Sequence, residues 1–100
     1  MAFIRAVIQD ETGNQVGEAV DFPVNVLPPP EDERFVFLRF VDAYGDTVFN
    51  RLQIPAVIEE LLVVKAGSNN QDERALIDKI VMLLRLGQEQ PHLYVKFIGD

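Results

Sequence analysis

The 100-residue chain has no cysteine and no tryptophan, one histidine (His92) and one serine (Ser68). Without thiols there is neither a disulfide framework nor thiolate chemistry. A lone imidazole with no cysteine beside it argues against a structural zinc site. A Ser-His-Asp relay would require Ser68 to meet His92, yet Ser68 lies in Gly67-Ser68-Asn69-Asn70, the composition of a turn between helices. The phosphate-cradling patterns GxGxxG and GxxxxGK[ST] do not occur. No apolar run approaches the ~18 residues of a membrane-spanning helix. Bases are scarce as well, nine against sixteen acids, for a net charge of -7. Phosphate backbones are held by clustered Lys and Arg, so this balance argues against DNA or RNA as a partner. The opening residues Met1–Ile8 carry no basic leader and no long apolar stretch before a small-residue cleavage site, which makes the cytoplasm the expected compartment.

What remains is ordinary globular material. With 48% hydrophobic and 25% charged residues, the chain suits a single α+β domain spanning 1–100. Phe3 to Ile8 reads as a strand with Ile4, Ala6 and Ile8 on one face. Asp10-Glu11-Thr12-Gly13-Asn14 reads as the turn of a hairpin, and roughly Gln15 to Phe22 as its return strand. Gly17 weakens or bulges that return strand, and Pro23 places it at a sheet edge or ends it. Leu27 to Glu33 holds three prolines and three acids, an extended connector.

Arg34-Phe35-Val36-Phe37-Leu38-Arg39-Phe40-Val41 is the strongest strand pattern in the chain, apolar on both faces. It predicts a central strand that turns through Asp42–Asp46 into a short strand at Thr47–Phe49. A first helix is predicted from Pro55 to about Ala66, ended by a left-handed Gly67. A second follows the capping pair Asn70 and Glu73 and stops at Gly87. Val57, Leu61 and Val64 form the buried stripe of the first helix, with Glu59 and Glu60 on its solvent side; Leu76, Ile77, Ile80, Leu83 and Leu84 form that of the second. His92 to Ile98 closes the chain as a strand. The expected order is therefore β-β-β-β-α-α-β. It describes a two-layer domain, a mostly antiparallel sheet of about five strands with two consecutive helices on one face.

The charge is lopsided. Residues 1–33 hold seven acids and one base, whereas the other 67 hold nine acids and eight bases. Such a surface either steers a basic partner or keeps an exposed sheet edge soluble.

Two sets of residues are candidates for a site. Asp42, Tyr44 and Asp46 in one loop, with His92, offer carboxylates, a phenol and an imidazole for acid–base work or a small ligand, although Asp at a turn opening also caps its own amides. Asp10–Asn14 lacks the sixth-position glycine and twelfth-position glutamate of a calcium loop and reads as a turn. The second set is apolar. Leu62 and Val63 on the first helix, and Met82 and Leu86 on the second, project between solvent-side charges and could join into one patch for a partner or a second copy of the chain.

No catalytic constellation and no cofactor or metal motif emerges. The reading that follows is a small acidic protein-interaction module, non-catalytic, such as a regulator, adaptor or inhibitor, with a protein partner or self-association as a homodimer. The alternatives are an enzyme-like or small-ligand domain built on the Asp42–Asp46 loop, and a structural subunit of a larger assembly.

Overall fold

A computed structural model describes residues 2–99. Four strands and two α-helices follow one another as β1 (Phe3–Gln9), β2 (Gln15–Pro23), β3 (Asp46–Phe49), α1 (Ile54–Ala66), α2 (Gln71–Gly87) and β4 (Tyr94–Ile98). The sheet is antiparallel throughout, in the order β2-β1-β4-β3, and the helical hairpin covers one face. The expected two-layer α+β architecture is present with four strands in place of about five.

The β1–β2 hairpin is built by its turn. Asp10 Oδ1 accepts from the backbone N–H of Thr12 at 2.9 Å and of Asn14 at 3.0 Å, and from the Thr12 hydroxyl at 2.7 Å. These bonds favour the charged form and hold the Asp10 carboxyl below its ordinary range, the Thr12 hydroxyl most of all. Register then places Ile4 opposite Phe22 and Ala6 opposite Val20, before it slips so that Ile8 meets Val16. Gly17 sits in this irregularity at φ +75°, and a Cβ there would lie 3.2 Å from Leu86 Cδ2. A side chain is excluded both by the backbone conformation and by the helix packed above it.

Arg34–Val41 is not a strand, which corrects the sequence expectation. It folds as turns ending in a single 3-10 turn at Leu38–Phe40. A strand forms only where a neighbour can pair with it, and the central places beside β1 and β3 are taken by β4 from the far end of the chain. The segment buries its apolar residues another way. Phe35 and Leu38, three apart, point into the core; Phe37 is half-buried, and Val36 and Phe40 stay exposed. Its amides are satisfied from α1, because the Glu60 carboxylate accepts from Phe37 N–H at 3.1 Å and from Leu38 N–H at 2.9 Å. Glu60 is therefore half-buried beneath this turn, where the helical pattern placed it on the solvent side.

The helix ends show where local rules held. Asn70 Oδ1 caps α2 by accepting from Glu73 N–H at 3.1 Å, while Ser68 Oγ accepts from Asn70 N–H at 3.2 Å. Gly67 at the end of α1 has φ -85° and is right-handed, contrary to expectation. The last carbonyls are met without a left-handed turn: Gly67 N–H donates to Val63 O and Val64 O at 3.2 Å, Ser68 N–H to Lys65 O at 3.1 Å, and Arg74 Nη1 to the same Lys65 O at 2.7 Å. Gly87 closes α2 where it lies against the sheet. A Cβ there would stand 3.0 Å from Ile8 Cδ1 and 3.2 Å from Ile54 Cδ1, so its lack of a side chain permits the close approach.

The core lies between sheet and helices. Edge-to-face rings run through it, Phe22 to Phe97 at 6.1 Å, Phe97 to Phe49 at 6.0 Å and Phe49 to Phe37 at 5.9 Å. Ile4, Ile8, Leu61, Ile80 and Leu84 are fully buried around them. No described helix is long and apolar enough to cross a membrane.

Candidate functional site

The polar set does not converge. Asp46 is paired with Ile98 at the end of β4, whereas His92 precedes the start of that strand. The two are separated by the length of β4, roughly 16 Å of extended chain. Each already has a local partner. Asp42 Oδ1 accepts from Tyr44 N–H at 2.8 Å, the turn-capping role of such a residue. Asp46 lies 3.3 Å from Lys96 Nζ, and His92 Nδ1 lies 3.9 Å from a Glu11 carboxylate oxygen beside the β1–β2 turn. Asp42 and Tyr44 do share the lining of a cavity of about 580 Å³ with Arg39, Phe40 and Pro28–Pro30. Among the described residues no three His, Cys, Asp or Glu are arranged to hold a metal ion, and no polar or charged residue is buried.

The apolar set is divided: Leu62, Val63 and Met82 are exposed, whereas Leu86, contrary to the sequence expectation, is half-buried and packed against the core. Val63, half-exposed, lines one groove beside Phe35 and Phe37 and another beside Pro28 and Pro29. Leu62 is exposed on the same helix. Met82 and Leu86 line a different groove, between α2 and β2. The two pairs share none of these cavities.

That last groove has a volume of about 620 Å³. Its helix wall is Leu76, Met82, Leu83 and Leu86, with Lys79 among them; its sheet wall is Glu18 to Asp21 of β2. Met82 is 72% exposed, so a large apolar side chain stands over the groove in water. The sheet wall is an edge, since no strand lies beyond β2 among the described residues. The sequence pointed to both halves separately, Met82 and Leu86 by helical period, and β2 as an edge, or as ending, by Pro23. Leu76, Lys79 and Leu83 were missed as groove residues because only the packing of α2 over β2 brings them beside that edge.

Electrostatics set the character of the groove. Arg5 donates twice to Asp21, Nε to Oδ1 at 2.7 Å and Nη2 to Oδ2 at 3.1 Å, on the sheet face turned away from the helices. This fork holds the Asp21 carboxyl below its ordinary range, so the group is ionised at neutral pH. Glu18 stands exposed on the bulged part of the strand. Asp10 and Glu11 continue the acidic stretch through the turn. Glu18 and Asp21 share the groove lining with Lys79, and Asp21 is held by Arg5, so the physical means available here are apolar contact and the backbone of an edge strand. In comparisons with protein families, curated proteins and solved structures, the chain matches none.

Proposed function

We propose that the protein is a non-catalytic, acidic interaction module that captures a basic protein partner. The observation that carries this reading is the groove between β2 and α2, an exposed apolar surface bordered by the most acidic part of the chain. Seven of the sixteen acids lie in residues 1–33 with a single base, and β2 belongs to that region. Field from such a region speeds encounter with a positive partner, and apolar burial then holds it. The Asp42–Asp46 loop supports this less than it supports its own turn, since Asp42 is spent on Tyr44 N–H and His92 is at the other end of β4.

The test is titration with fluorescently labelled peptides of equal length and apolar content, one set basic and one acidic, followed by anisotropy. Basic peptides should bind and weaken as salt shortens the Debye length to ~8 Å and below. Equal affinity for the acidic set, or indifference to salt, would refute the proposal.

A further inference from the structure

We infer that the cavity between the proline connector and the Leu38–Tyr44 turn binds a small aromatic monocarboxylate, with the carboxylate on Arg39 and the ring among Pro28–Pro30, Phe40 and Tyr44. The site is separate from the groove beside β2, so it stands or falls apart from the interaction-module reading. It starts from a cation without a counterion. Arg39 Nε is fully buried and donates to no atom, and among the described residues no carboxylate lies within ion-pair distance of its guanidinium. Arg5, Arg34, Lys65 and Lys96 each have such a partner. A buried donor of a charged group that is left unpaired carries a desolvation cost, and an anion at the same guanidinium offsets it.

Arg39 is positioned without using its donors. Its Cζ lies 4.9 Å from the centre of the Phe40 ring, a cation–π contact made through the face of the guanidinium. The N–H groups at the guanidinium edge stay available. Because Nε is enclosed, a ligand meets Arg39 end-on, through Nη1 and Nη2. The rest of the lining is mostly apolar. Leu27 and Val41, which pack against the core, stand beside the three prolines, while Phe40 is 67% and Tyr44 80% exposed. Proline and aromatic rings present flat faces to a planar ligand. The volume of about 580 Å³ falls within the span of small-molecule sites.

The surrounding polar groups decide the kind of anion. A phosphate is held by several donors, backbone amides above all. Here the amides of Phe40, Val41, Asp42 and Tyr44 are already bonded, to Phe37 O, Leu38 O, Thr47 Oγ1 and Asp42 Oδ1. Asp42 shares the lining with its carboxylate folded over its own loop: Oδ1 accepts from Tyr44 N–H, and Oδ2 lies 2.8 Å from where a Gly45 Cβ would stand. Its charge opposes a dianion more than a monoanion, and the single cation Arg39 neutralises one charge. A planar carboxylate matches the end of a guanidinium.

The probe is 2-naphthoate, titrated against the full chain and followed by amide NMR shifts. A ligand this small should bind with a Kd of about 1 mM. Amides of residues 39–44 should shift and saturate. The neutral 2-naphthylmethanol, with the same rings, should bind at least about tenfold more weakly. Arg39→Gln should lower 2-naphthoate to the level of the alcohol and leave the alcohol unchanged, a split that general loosening of the turn does not produce. Tyr44→Ala, at an exposed position, should weaken both ligands. Equal affinity for acid and alcohol overturns the carboxylate site, and this comparison uses the parent chain alone, so it decides the matter even where Arg39→Gln does not fold. Shifts confined to the groove beside β2, no saturation by about 10 mM, or displacement by an equal concentration of inorganic phosphate overturns it as well.

Discussion

Replacing Glu60 with alanine removes the one side chain that ties the Arg34–Val41 segment to α1 through its backbone. The carboxylate accepts from Phe37 N–H at 3.1 and 3.2 Å through its two oxygens and from Leu38 N–H at 2.9 Å. A hydrogen bond to a charged group contributes about 1.5–3 kcal/mol, and a half-buried site exposed to solvent screening sits at the low end. Two amides therefore lose about 2–3 kcal/mol together. With an m-value of about 1.5 kcal/mol/M in urea for a small domain, the midpoint should fall by roughly 1.3–2 M. Glu60→Gln keeps one acceptor oxygen without the charge and should lose about half as much. The measurement is equilibrium urea unfolding, with far-UV circular dichroism as a second readout. A segment with this strand propensity, once released, should raise the β signal or the tendency to aggregate. A Glu60→Ala variant within ~0.5 kcal/mol of the parent would show that the turn is held by the burial of Phe35 and Leu38 alone and would refute the argument.

Three further outcomes are expected from the same structure. Asn70→Ala should cost about 1 kcal/mol in urea unfolding, because Glu73 N–H loses its acceptor at the start of α2; no change would mean the first turn is satisfied by water alone. Gly17→Ala should cost about 1–3 kcal/mol in thermal unfolding, since φ +75° is disfavoured for any side chain and Leu86 Cδ2 stands 3.2 Å from the new Cβ. Asp10, Asp21 and Asp32 all have carboxyls lowered from the ordinary value, by the Thr12 hydroxyl, Arg5 and Arg34 respectively. Depressed folded-state values contribute stability above the ordinary aspartate value of about 3.9, and that contribution is lost as pH falls through the lower folded-state values. Urea midpoints should accordingly be flat near neutrality and decline below about pH 4; Asp21→Asn should make that decline shallower.

Asp10 and Asn70 act on amides a few residues away and Pro55 fixes its own φ, so their turn, cap and helix start could be read without knowing the rest of the molecule. The buried stripes of α1 and α2 and the inward face of β1 were legible for the same reason, since helical and strand periods are set by backbone geometry. Only the tertiary structure decided the fate of Arg34–Val41, because a strand needs a partner and β4 had taken the place between β1 and β3. It also decided that the turn after right-handed Gly67 is pinned from α2, where Arg74 donates to Lys65 O and Ser68 O. The polar candidates Asp42, Tyr44, Asp46 and His92 share loops and termini in the sequence, yet one strand length separates His92 from Asp46. The groove belongs wholly to this second class. Met82 and β2 lie some sixty residues apart in the chain, and only the burial of α2 against β1 and β2 makes them two walls of one surface. Local preferences amount to about 1 kcal/mol per position, whereas burying one large apolar side chain contributes about 2–3 kcal/mol, so packing prevails wherever the two disagree.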